Sequence, residues 1–306
     1  MTGTVWILDS TWAPDDLKAR LKRGARLKHI LKIRDIQNSI KKLGKSPKVL
    51  SPDDFWFVHQ SDVTEVAHLL DPLLRQDLGQ ILDLLRERST RTTIISNGPL
   101  LDEPSVVDLL ERGVGLFELP LLSHRREIHD RMSGCAGAFD ASLAAMAHIR
   151  THWGQFVAVF VATKLNLADL YTTIKLAFAF GSRGMMLNRF NPGGRGRAHL
   201  AELLPSAQEM REALAVADAA SAEYGFSISC SIPLQPCLID AGDYPHLGFG
   251  FCAAGTERAY YTLDPLGNLR PCNHTPTILG NLLEEPFADL IAPDRMAAFM
   301  EAVPPF

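Results

Sequence analysis

Five cysteines are the residues of this chain best suited to chemistry, and two of them have a suggestive spacing. Cys252 is followed after fourteen residues by Gly267, and after four more by Cys272. The strand-like stretches 258–263 and 268–270 flank Asp264-Pro265-Leu266-Gly267, a turn well served by a glycine that tolerates positive φ. The spacing predicts a hairpin that could turn two thiolates toward one iron–sulfur cluster. Two other readings stay open: a pair of buried free thiols, or zinc held by Cys252, Cys272 and His274. Cys237 is the third candidate metal ligand, because it opens the same stretch of chain. Cys135 and Cys230 fall in a different pattern and are expected to be buried thiols. An odd number of cysteines spread over 306 residues argues against a disulfide framework.

Upstream of that module the chain alternates between two periodicities. Strand-like runs at 92–96, 115–119, 156–162, 184–188 and 226–230 are separated by helix-like runs at 77–88, 106–112, 139–153, 167–180 and 206–224. Strands joined by crossover-length helices predict parallel βαβ units, so the fold class is α/β, a partial parallel (β/α) barrel with a small α+β C-terminal extension. The pattern breaks after Ile232, which divides the chain into 1–70, 71–231 and 232–306. In such a barrel the chemistry gathers at the C-terminal ends of the strands. Those ends are polar: Ser96-Asn97-Gly98, then Ser123 and His124, then Thr163, Lys164 and Asn166, and finally the loop 188–196. The loop could hold an anion with its backbone N–H groups and Arg189 and Arg195, or could simply be a tight connection.

Charge and hydropathy exclude other classes. The net charge of −4 conceals twelve Lys or Arg against a single acid, Asp35, within residues 17–48. That segment reads either as a basic arm for nucleic acid or as a solvated amphipathic helix with Ile33, Ile36, Ile40 and Leu43 on one face. No apolar run is long enough to cross a membrane and no secretory leader is visible, so a cytoplasmic protein with no membrane partner is expected. No hydrolase constellation is found. His129 and Asp130 are adjacent and on a helix do not face one another, and neither a nucleophile elbow nor a phosphate-binding loop occurs.

Four stretches resemble the radical S-adenosylmethionine (SAM) superfamily, and within it members with a SPASM or twitch extension. Asp71-Pro72-Leu73-Leu74 with Thr93 to Gly98 is similar to the "GEPLL" and "TNG" segments. Glu127 to Gly134 with Gly137-Ala138-Phe139 is similar to "hd.lrG..gsf". Asn188 to Gly196 is similar to the sixth-strand end, and Cys252 to Cys272 with Leu279 to Leu282 to the SPASM signature. The resemblance spans about 71–300. It implies SAM-side positions at Ser96, Asn97 and Asn188, a [4Fe–4S] cluster on Cys252, Cys272 and Cys237, and a peptide or protein as substrate. In that superfamily a reduced cluster cleaves SAM to a radical that takes a hydrogen atom from the substrate.

The departures are as specific as the matches. The defining Cys-x3-Cys-x2-Cys is absent, no cysteine precedes Cys135, and Leu69-Leu70-Asp71 stands where the family has "GGE". The family's later cysteines would follow a stretch like 302–306, where this sequence stops. The expectation is therefore a radical SAM-like iron–sulfur protein whose parent form modifies a peptide or protein, while this chain is truncated or inactive. An altered reading frame upstream of residue 71 is one source of such a chain, and a genuine replacement of the first half-barrel is another. The competing expectation is a non-catalytic protein that binds peptide, or nucleic acid through 17–48.

Overall fold

The computed structural model describes residues 71–302 apart from short gaps at 75–77, 88, 90, 193, 236, 253, 255–260, 264–267, 273–274 and 276, together with two short strands near the start. Those strands are β1 (Thr4–Leu8) and β2 (His29–Leu31). The chain then builds α1 (Leu78–Glu87), β3 (Arg91–Ile95), α2 (Glu103–Glu111), β4 (Val114–Pro120), α3 (Arg126–Ser133) and α4 (Ala138–Thr151). There follow β5 (Phe156–Ala162), α5 (Leu170–Ala179), β6 (Gly184–Arg189), α6 (Ala207–Tyr224), β7 (Ser227–Cys230) and β8 (Leu247–Phe249).

These eight strands form one parallel sheet in the order β2-β1-β3-β4-β5-β6-β7-β8. The ends of the sheet are β2 and β8, so the barrel is partial. All five expected strands appear within one residue of their predicted bounds, all parallel and all in this sheet. The sheet runs past residue 232 by taking in β8, which pairs with β7 from Ile228↔Leu247 to Cys230↔Phe249. The expected amphipathic helix within 17–48 falls outside the described residues, and the piece of that segment that is described is β2.

The core lies between one face of the sheet and the helices. Ile94, Phe117, Leu119, Phe160, Ala162, Leu187 and Ile228 meet Leu82 and Leu85 of α1, Val106 of α2, Met146 and Ile149 of α4, Ile174 of α5 and Leu214 of α6. Removing one such aromatic side chain costs about 3–5 kcal/mol. Helix ends are set by local chemistry. Asp102 caps α2 by accepting the Ser105 N–H at 2.9 Å, and Ser206 with Glu209 forms a capping box at the start of α6.

The opposite face of the sheet is different. Along β5, Phe156, Ala158, Phe160 and Ala162 are buried while Val157, Val159 and Val161 are only half-buried. The apolar run reads as a strand covered on both sides, yet among the described residues only the helix face is fully packed.

After the sheet, β9 (Thr262–Leu263), β10 (Asn268–Arg270) and β11 (Gly280–Asn281) form a small antiparallel sheet, and α7 (Pro293–Ala302) closes the described chain. Leu263 pairs with Leu269 and Thr262 with Arg270, which is the hairpin predicted around Gly267. The turn itself lies outside the described residues.

Candidate functional site

Parallel pairing places the C-terminal ends of β3 to β8 along one edge of the sheet. At the end of β3 the chain turns on Asp71. Its carboxylate accepts the Ser96 hydroxyl at 2.5 Å, the Asn97 N–H at 3.1 Å and the Leu73 N–H at 3.1 Å. The Ser96 Oγ in turn accepts the Gly98 N–H at 3.1 Å. Gly98 has φ +100, and a Cβ there would stand 3.0 Å from the carbonyl oxygen of Ala141, so this turn needs glycine both for its conformation and for its approach to α4. Ser96 is buried and its hydroxyl is engaged within the turn, whereas Asn97 is exposed. The network makes Ser96 a support and Asn97 the residue it presents.

The ends of β4 and β5 are stitched together from inside. Asn166 is fully buried and donates to the carbonyls of Leu122 at 2.7 Å and Val161 at 2.9 Å, while its Oδ1 accepts the Thr163 N–H at 2.8 Å. Ser123 donates to Asp169 at 2.6 Å, and the Arg125 guanidinium lies 2.9 Å from the same carboxylate. His129 accepts the Leu122 N–H on Nδ1 at 3.2 Å, and burial depresses its pKa to about 4, which keeps the ring neutral. Asp130 accepts the N–H groups of Gly137 and Phe139 at the start of α4. Burial acts to raise its pKa, but those backbone bonds outweigh it and the carboxyl ends below the usual range. The His-Asp pair of the resemblance is thus architectural here.

At β6, Asn188 accepts the Ser231 hydroxyl at 2.6 Å and keeps its amide N–H groups for other use. Arg189 donates to the Pro233 carbonyl at 2.9 Å and to Asn191 Oδ1 at 3.2 Å. Among the described residues its partners are neutral oxygens and no carboxylate pairs with it, and burial lowers its pKa. A carboxylate or phosphate group is the natural complement.

The concave face below this rim is lined by Ile95, Glu118, Val157, Val159, Val161, Met186 and Asn188, matched in register across β3 to β6. Ile95 is 43% exposed, and Val157, Val159, Val161 and Met186 are half-buried. An apolar concave surface with a few convergent polar groups is the usual form of a small-molecule or peptide site. Neither Asp71 nor Glu118 stands out in the sequence reading. Asp71 is visible there only as the residue in place of a motif glutamate. Glu118 sits in an apolar strand between Phe117 and Leu119, and strict alternation alone places it on the face opposite theirs.

Cys252 follows β8 and is exposed, Cys237 is exposed and Cys272 is partly buried. Among the described residues no three of His, Cys, Asp and Glu are gathered to hold a metal. Cys230 is buried, and burial pushes its thiol up to about 12. Cys135, expected to be buried, is only partly so, because it lies in the short turn between α3 and α4 rather than on a core face. Among the described residues the ends of β3 to β6 present hydroxyls, amides and a guanidinium and no thiol, so these strand ends offer no ligand to a SAM-cleaving cluster.

No family model matches the chain. It is 26% identical over 210 residues to the PqqA peptide cyclase of Granulibacter bethesdensis, covering 69% of this chain and 54% of that protein. It is also 26% identical over 231 residues to the AdoMet-dependent heme synthase of Methanosarcina barkeri, covering 72% and 65%. The chain is related to the radical SAM superfamily. It spans about half to two thirds of the length of these curated relatives. In fold it is similar to Streptococcus suis SuiB bound to the precursor peptide SuiA, with a TM-score of 0.60 at 13% identity over 76% of this chain and 54% of that one. That fold similarity agrees with the partial barrel seen here. No helix among the described residues is long and apolar enough to cross a membrane.

Proposed function

We propose that this chain is a peptide-binding relative of SPASM-type radical SAM enzymes, keeping the SAM-side and substrate-side face of the barrel without the thiolates of a SAM-cleaving cluster. The observation that carries this reading is the half-open concave face of β3 to β6, apolar in its wall and polar at its C-terminal edge. Asn97 and Asn188 are the proposed SAM contacts, three strands apart on that edge, with Asp71 holding the Asn97 N–H and Ser96 bracing the same turn. Arg189 is the proposed partner of a ligand carboxylate. The relatives named for work on peptides, the PqqA cyclase and SuiB with its precursor peptide, support a peptide as the second ligand and radical peptide modification as the activity of the parent form.

Cys252, Cys272 and Cys237 are proposed as iron ligands in the C-terminal module, a site that forms as metal binds, because metal binding and local folding are coupled. The test is anaerobic reconstitution with iron and sulfide, followed by iron counting and incubation with SAM and a strong reductant. Iron bound by the wild type and lost in Cys252→Ser and Cys272→Ser, with no 5′-deoxyadenosine above a no-protein control, is the expected result. Production of 5′-deoxyadenosine refutes the proposal.

A further inference from the structure

Glu118 is the one acidic side chain among the described residues lining the concave face of β3 to β6. It is 7% exposed, and among the described residues its carboxyl has no hydrogen-bond or ion-pair partner. Its lateral neighbours in register are Ile95 on β3 and Val157 on β5. Its strand neighbours Phe117 and Leu119 point the other way, into the helix-covered core. A buried polar group normally has a partner, and one left without is a place to look for a ligand.

The alternatives for that ligand are a cation and a neutral polar group. Burial raises the Glu118 carboxyl to about 8, with no charged neighbour among the described residues contributing. The groups facing it from β3 and β5 are Thr93, Ile95, Val157 and Val159, none of which titrates in the ordinary range. Arg91 is at the far end of β3, and Asp71 is tied to Ser96 beyond the strand's end. A cation brought here would have to be desolvated together with a carboxylate. An extended peptide residue asks for neither, and it matches a carboxylic acid in shape: with trans amides on both sides, its own N–H and C=O face the same way.

We propose that Glu118 is the anchor for one extended peptide residue on the concave face, its O–H donating to that residue's C=O and its own C=O accepting that residue's N–H. This rests on the reading of that face as a peptide site, and it names the group of the peptide that is held and the residue that holds it.

The test uses the full chain and N-acetylglycine N-methylamide as probe, with n-butylammonium as the cationic comparison, each titrated by NMR at pH 7 and pH 9. Because only the protonated form binds the amide, the apparent Kd of the wild type rises about tenfold between the two pH values. Glu118→Gln keeps amide affinity within about twofold at pH 7 and loses the pH dependence, while Glu118→Leu weakens binding by about tenfold for two lost neutral hydrogen bonds. Should the leucine variant fail to fold, the glutamine variant still decides the question through its flat pH profile. Absence of saturable amide binding, a wild-type affinity independent of pH, or tighter n-butylammonium binding at pH 9 overturns the inference. SAM binding measured on the same samples separates the two claims: SAM bound without the amide probe defeats only this inference, and the converse defeats only the SAM-side reading.

Discussion

Replacing Glu118 by glutamine should stabilise the protein, and by an amount that depends on pH in a calculable way. The folded carboxyl titrates at about 8 instead of its ordinary 4.5 because its surroundings are apolar. Below pH 4.5 both folded and unfolded chains carry the proton and the residue adds no pH-dependent term. Between pH 4.5 and about 8 the unfolded chain has lost the proton and the folded one has kept it, so stability falls as pH rises. The slope is about 1.4 kcal/mol per pH unit, which amounts to about 3 kcal/mol at pH 7 and levels off near 5 kcal/mol above pH 8. Glutamine has nearly the same shape and no charge to desolvate, so it escapes this loss. Urea unfolding of both proteins at pH 5, 6, 7 and 8 measures the difference. The expected outcome is a gap in favour of Glu118→Gln that is small at pH 5 and widens at each step. A gap that stays constant with pH, or a wild type that gains stability on the alkaline side, refutes the burial of an unpaired carboxyl on this face.

Three further outcomes follow from the rim. Asn166→Leu leaves the Leu122 and Val161 carbonyls without their donor and should cost about 2–4 kcal/mol, read from the urea midpoint. His129 is held neutral by burial, so stability present above pH 6.5 is lost as pH falls toward about 4; His129→Gln should flatten that acid limb of the stability profile. Gly98→Ala forces a side chain into a positive-φ turn against the Ala141 carbonyl and should lower the thermal midpoint by several degrees, as about 1–2 kcal/mol of strain would in a chain this size.

The regular part of the fold was legible because its strands and helices have different periods and the switch between them is clean. Phe156 to Ala162 could be read as a strand from its run of apolar and β-branched residues alone. What that run could not reveal is that Val157, Val159 and Val161 are only half-buried, since a strand packed on both faces has the same composition. The strand β8 is too short and glycine-rich to register, and it joins the sheet through pairing with β7, a tertiary effect. At the rim, residue type flagged Ser96, Asn97 and Asn188, but type does not show that the Ser96 hydroxyl is consumed by Asp71. Asp71 and Ser96 are twenty-five positions apart, and only the fold joins them. Glu118 escaped notice because a single acid in an apolar strand looks like noise until its neighbours' faces are known. The cysteine spacing gave the hairpin correctly, while its role as a metal site depends on loops that local pairing does not fix.

Equilibrium dialysis of the purified full chain against S-adenosylmethionine tests the central claim most directly. The wild type should take up one equivalent per chain saturably, and the double variant Asn97→Ala, Asn188→Ala should bind markedly more weakly while unfolding at the same urea concentration. No saturable uptake by the wild type, or equal uptake by the double variant, contradicts the assignment of the sheet's C-terminal edge as the SAM side of a radical SAM-like barrel.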